Sequence, residues 1–311
     1  MTAPVGRVRD WLFPVAPPER LAMLRVLSGA FALGYIVIRA QAFVSLVDAD
    51  PSRLAPVGVL SPLGSPVADG VLVGCFIAAV VAGVGFMAGV WFRVTGPLFA
   101  LLLLALSTYR SSWGQVLWLE NVMVLQVLIV GFSRSADALA LAWRPGEPTP
   151  PAGKVVREAY GVPVRLAALV TVATYLLSVL AKFRLGGTAW MFSDSLRNHV
   201  AGSVARAELL DAPAPPLGRW LVAYEWIFPP MAVASVLVEL ASPIALVKGR
   251  LRDIWVASAW LMHVSIALLM YVVFPYPLFL VAFAPFYDLE HLTRVARGAL
   301  RKPLAIGRRQ N

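Results

Sequence analysis

Long apolar runs with no charge to interrupt them decide what this chain can become. Val71 to Val90 and Pro97 to Leu106 carry no charged side chain. A bilayer's hydrocarbon core is about 30 Å thick and asks for about 20 apolar residues per helix. Soluble domains usually carry about a quarter charged residues, whereas here the share is 14%, against 59% hydrophobic and a mean hydropathy of +0.75. The chain therefore reads as an all-α, polytopic membrane helix bundle.

The spacing predicts eight spans: Leu21–Leu46, Val67–Val90, Val94–Thr108, Gln115–Phe132, Val162–Lys182, Leu221–Val247, Ile254–Val273 and Tyr276–Leu289. The last is short, and Pro275 and Pro277 break the chain just before it. With the N-terminus inside, 17 of the 27 Lys and Arg residues fall in inside segments and six in outside segments. The other four, Arg25, Arg39, Arg165 and Lys182, lie within spans. Cytoplasmic loops favour Lys and Arg, so both termini are expected inside, in a multi-pass protein of the plasma membrane.

The net charge of +10 is placed between apolar runs, where it sets topology and touches anionic head groups rather than nucleic acid. Residues 1–20 form an interfacial segment, with Trp11, Leu12 and Phe13 as its anchor. Residues 21–290 form the transmembrane domain, and residues 291–311 a basic cytoplasmic tail. A Pro-rich cytoplasmic linker spans 133–161, and an extracytoplasmic loop with a short helix spans 183–220. The single cysteine, Cys75, excludes an internal disulfide or a CxxC pair. His199, His263 and His291 lack metal-ligand spacing, so no metal is expected. No Walker loop, GxSxG elbow or GxGxxG is present.

Ionisable groups inside a membrane cost about 2.5–3.5 kcal/mol on insertion scales and need a partner, a wet cavity or an escape to the interface. Span direction puts Gln115, Glu120 and Asn121 in the outer half of span four and Lys182 at the outer end of span five. Glu239 falls toward the inner side, where a loop base would pair with it. Plainer readings stand beside these. Lys182 reads also as a snorkelling anchor, Glu120 and Asn121 as helix-to-helix glue, and His263 as a hydrogen-bonded packing residue.

An ordered series of short patterns goes further. Span one holds Leu-Arg-Val-Leu-Ser-Gly at Leu24 to Gly29, and span two ends in Gly-Val-Trp-Phe-Arg at Gly89 to Arg93. Span three runs into Ser111 to Trp113, with Gln126 beyond it. Span five closes with Tyr175 to Phe183, and Trp190 leads into the outer helix. His263 precedes a Pro-containing apolar run. In this order the patterns resemble the HTTM family, whose relatives include the vitamin K-dependent γ-carboxylases, over roughly Leu21 to Phe286.

The resemblance implies a reduced quinone as cofactor, oxygen as oxidant and Lys182 as the base that deprotonates the quinol. That chemistry needs a neutral amine, which a low-dielectric pocket favours. Glu120 or His263 would be a second proton-handling group, and Trp113, Gln115, Asn121 and Trp190 would line the quinol site. Glu120 and Lys182 are expected to share a cavity open toward the outer leaflet. The carboxylases carry a histidine where this chain has Val116, and their large soluble domain has no counterpart among these residues. Both features argue against classical glutamate carboxylation. Two alternatives stand: an accessory protein for maturation or export of a secreted peptide, and a small-molecule permease.

Overall fold

The computed structural model describes residues 4–114, 118–141 and 156–293. They are helical apart from loops, with one isolated antiparallel bridge between Ala16 and Arg157. In chain order the α-helices are α1 (Pro4–Leu12), α2 (Pro18–Ile38), α3 (Ala40–Val44), α4 (Asp69–Ala88), α5 (Phe92–Ser111), α6 (Asn121–Gly131) and α7 (Glu158–Gly186). Then come α8 (Ala189–Phe192), α9 (Ser195–Leu209), α10 (Pro216–Leu221), α11 (Phe228–Leu240), α12 (Arg250–Met270) and α13 (Pro275–Leu278). Six stretches are long and apolar enough to cross a membrane: α2, α4, α5, α7, Glu225–Leu246 around α11, and α12.

Two of the eight expected spans take another form. The fourth is α6, whose 11 residues reach only about 17 Å at 1.5 Å per residue. The eighth is α13 followed by a 3-10 turn over Val281–Phe286, with Pro285 inside it. Irregular backbone at membrane depth is tolerated only when buried in protein, and this one is. Ala282, Phe283, Ala284, Pro285 and Phe286 are all buried, and the Ala282 carbonyl accepts hydrogen bonds from Thr171 and Gln126.

Sequence chemistry explains the helix ends. α2 opens on Pro18 with Glu19 in its first turn, a pre-set φ and a carboxylate near the positive end of the dipole. α4 closes on Gly89 at φ 74°. Val90 N–H bonds to the Gly85 carbonyl and Gly89 N–H to that of Phe86, the crossed pair of a Schellman cap.

Packing follows from small residues and from one buried face per helix. A Cβ added to Gly96 on α5 would lie 2.6 Å from the Gly131 carbonyl of α6, so these helices meet backbone to backbone. On α12, Trp255, Ala259 and His263 are buried, while Ile254, Leu261 and Leu268 lie exposed on the other side. In a bilayer that second stripe faces lipid. One core joins α2, α4, α5, α6 and the start of α7; a second joins α7, α12 and the Val281–Phe286 turn.

The segments that the charge count places inside meet at one end of the bundle. Ala16 pairs with Arg157. Arg20 bonds Glu290 at 2.6 Å and Asp288 at 2.8 Å, and Lys248 also reaches Asp288 at 3.1 Å. Buried Arg25 donates to the carbonyls of Ser135 and Leu139. At the opposite end α9 and α10 form a cap on α11 and α12, with Val200, Leu221, Phe228 and Leu269 packed together.

A candidate proton-handling face on the fifth long helix

α7 carries one polar stripe on an otherwise apolar surface. Thr171, Tyr175, Ser178 and Lys182 are spaced by four, three and four residues, which keeps them on one side of a helix of 3.6 residues per turn. Twenty-nine residues make a helix of about 44 Å, longer than a hydrocarbon core of about 30 Å. Lys182 therefore lies near its outer boundary.

The outermost level is an ion pair. Lys182 Nζ lies 2.5 Å from both carboxylate oxygens of Glu239, and Ser178 Oγ donates to Glu239 Oε1 at 3.0 Å. The ammonium also sits 4.6 Å from the centroid of the Trp190 ring, a cation–π contact. Trp190 arrives there because Gly187, at φ 57°, turns the chain from α7 into α8. Glu239 had been expected near the inner side, and that placement is corrected. α11 begins at Phe228, with Pro229 and Pro230 in its first turn, not at Leu221. Glu239 is then about 17 Å from the helix start rather than about 27 Å, level with the end of α7.

Below the pair, the Tyr175 hydroxyl and His263 Nε2 share a 2.8 Å hydrogen bond. The His263 ring leans on Phe274, with centroids 4.8 Å apart, and Trp255 meets Tyr175 edge-on. His263 Nδ1 is buried with no hydrogen-bond partner among the described residues. The Glu239 carboxylate is within electrostatic reach of the Tyr175 hydroxyl.

The third level ties the halves of the protein together. Gln126 Nε2 donates to Thr171 Oγ1 at 2.9 Å, and the Tyr276 hydroxyl donates to Gln126 Oε1 at 2.7 Å.

Glu120 belongs to a different cluster. It accepts hydrogen bonds from the Tyr35 hydroxyl and from Arg110, the latter at 2.7 Å. Its Oε2 is buried and unpartnered among the described residues, beside a narrow seam of Phe31, Met123 and Tyr276. Trp113 packs edge-on against Tyr109 at 5.7 Å, and its Nε1 is likewise buried without a partner. Asn121 is exposed at the start of α6. Gln115 and Val116 lie outside the described residues.

The candidate residues thus divide. Lys182, Trp190 and His263 converge on α7, whereas Glu120 and Trp113 stand with α2 and α5. Neither the Glu120 seam nor the cavity at the cytoplasmic end reaches Lys182, so the expected cavity shared by Glu120 and Lys182 is not formed. Sequence reasoning missed the roles of Glu239, Tyr175, Ser178, Tyr35 and Arg110. The spacing of Tyr175, Ser178 and Lys182 carried a readable signal; the long-range partners did not.

Chemically, the Lys182–Glu239 pair holds one proton at rest and can take up one more. Passing the ammonium proton to the carboxylate over 2.5 Å leaves a free amine. If that amine then accepts a proton, both groups end protonated, with Glu239 as the sink. In a low-dielectric site the ionic and neutral forms of such a pair compete closely. Among the described residues no three His, Cys, Asp or Glu side chains gather as a metal site. Compared with family models, curated proteins and solved structures, the chain matches none.

Proposed function

We propose that this is a membrane-embedded, HTTM-like enzyme of the plasma membrane in which Lys182 and Glu239 take a proton from a lipid-soluble quinol. The observation that carries the reading is a lysine–carboxylate pair under an indole ring, at the outer end of an apolar helix. The local patterns shared with the γ-carboxylase relatives support it. In this topology the chain crosses eight times with both ends inside. The meeting of Arg20, Arg157, Lys248 and Glu290 segments at one end supports that arrangement.

The residues suit a flat, hydroxyl-bearing apolar molecule. Trp190 offers a ring face, Lys182 a donor and Glu239 an acceptor. Lys182 keeps 19% of its side chain exposed, so such a molecule meets the pair laterally, over the rim of α7 and α8. A reduced quinone bound there supplies an acidic hydroxyl and the electrons that reduce oxygen. Glu239 draws the ammonium proton from Lys182, the amine accepts the hydroxyl proton, and Trp190 shields the pair from water. His263 and Tyr175 hold the neighbouring face of α7 against α12. Nothing in the site supplies the histidine of the carboxylases, so protein glutamate carboxylation is not proposed.

A second reading, an accessory protein for peptide maturation or export, rests on the outer cap. Leu209, Leu210 and Trp226 are broadly exposed there, a surface suited to lipid head groups or to a peptide. In that case Lys182–Glu239 is a structural tie. Organic extraction of the detergent-purified protein tests the first reading: a co-purifying quinone is expected, and its loss in Trp190→Ala locates it. A wild-type extract without quinone favours the accessory reading.

A further inference from the structure

At the opposite end of α7 from Lys182 lies a half-open cavity of about 140 Å³, space for several waters of about 30 Å³ each. Its charged lining consists of Arg20, Arg165, Lys248 and Asp288, above apolar side chains that include Leu246 and Phe286. The charges do not balance. Arg20 and Lys248 share Asp288, and Arg20 also holds Glu290 behind the wall. That leaves the cation of Arg165 over. Among the described residues Arg165 has no ion pair or hydrogen bond; its guanidinium lies 4.9 Å from the centroid of the Trp11 ring. Its Nε is buried with no partner. A guanidinium is a rigid fork of donors, and one with a desolvated N–H turned into a polar cavity lacks an acceptor.

Depth identifies the chemistry. Arg165 is seven residues into α7, about 10 Å from its start. A helix of about 44 Å centred on a core of about 30 Å overhangs by about 7 Å at each end. Arg165 therefore stands at the level where phosphates give way to acyl chains, with a side chain long enough to reach the head-group zone. Basic pockets between helices at the cytoplasmic face suit anionic head groups, and forked donors suit phosphate oxygens.

We propose that this cavity binds a phosphate ester, with Arg165 as the principal donor, Arg20 and Lys248 at its flanks and the apolar wall taking the attached chain. This site is independent of the proton-handling face and of the function proposed for it.

The test uses the full-length protein in neutral detergent and native mass spectrometry, with three probes: phosphatidylglycerol, uncharged dioleoylglycerol and soluble glycerol 3-phosphate. A single phosphatidylglycerol adduct is expected, weakened roughly tenfold, about 1.4 kcal/mol, in Arg165→Gln and largely kept in Arg165→Lys. Lys248→Gln serves as a second variant. Its side chain is 69% exposed, so the change leaves packing intact, and a smaller loss of the adduct is expected. Displacement of the lipid by glycerol 3-phosphate at similar concentration supports the phosphate site and assigns it to a soluble ester. Equal phosphatidylglycerol binding by wild type and both glutamine variants overturns the proposal, as does equal binding of dioleoylglycerol.

Discussion

Lys182 and Glu239 stand 57 positions apart in sequence and touch through both carboxylate oxygens, with the Lys182 side chain 19% exposed and that of Glu239 7% exposed. The pair fastens the outer end of α7 to α11 and holds the most concentrated charge on the polar stripe. Removing one partner leaves the other charge poorly solvated. Glu239→Gln is expected to destabilise the protein by about 2–3 kcal/mol, below the ~3–5 of a fully buried pair because Lys182 keeps an open side. The double change Lys182→Met with Glu239→Leu is expected to recover most of that loss. Unfolding in mixed detergent and SDS micelles reads both.

Backbone contact between α5 and α6 predicts a sharp contrast between two glycines. Gly96→Val drives its Cβ toward the Gly131 carbonyl, 2.6 Å away, and is expected to cost about 1–3 kcal/mol, the range for overpacking. Gly74→Val on α4 meets nothing within 4 Å and faces lipid, so a change near zero is expected. Equal effects in the same unfolding assay would rule out close packing of α5 on α6.

The cytoplasmic cluster makes stability depend on acid. Burial pushes the Asp288 carboxyl up, but the hydrogen bond from Lys248 and the charges of Arg20 and Lys248 outweigh it and leave it below the usual range. Burial likewise pushes Glu290 up, and Arg20 outweighs it. A carboxyl depressed in the folded state lends stability that is complete above its unfolded value, about 3.9 for Asp and 4.3 for Glu. That stability is lost as pH falls through the folded value. Stability is therefore expected to be flat from pH 7 to about 5 and to drop below about 4. Arg20→Gln is expected to flatten the drop, as followed by unfolding against pH.

Topology rests on 17 inside against six outside basic residues and on the bundle end where Ala16 meets Arg157 and Arg20 meets Glu290. Reporter fusions at the N-terminus, within residues 133–161 and at the C-terminus are all expected to report cytoplasm. A C-terminal reporter outside would mean that α13 and the Val281–Phe286 turn do not complete a crossing.

Much of the fold was legible because lipid imposes a simple demand, and runs such as Val71 to Val90 meet it. The break at Pro275 and Pro277 was legible too. Its consequence was not, since the carbonyl it frees at Ala282 is satisfied by Thr171 and Gln126, far away in sequence. The shortened α6 has a similar cause: Glu120, just before its start, is held by Tyr35 and Arg110 from other helices. Within the site, Lys182 was readable as an intramembrane charge. Glu239 was misplaced because the sixth span was begun at Leu221, although Pro229 and Pro230 mark the first turn of α11.

The central claim is that the Lys182–Glu239 pair moves a proton and does not merely fasten α7 to α11. Arginine at 182 keeps the positive charge and can still reach Glu239 and Trp190, but it does not deprotonate at any accessible pH. The direct measurement is quinol consumption under oxygen by purified wild type and Lys182→Arg, with unfolding curves confirming equal stability. The account predicts turnover by wild type and a loss of about a hundredfold or more in Lys182→Arg, the scale of removing a general base. Equal rates in the two proteins would contradict it and leave the pair a structural tie.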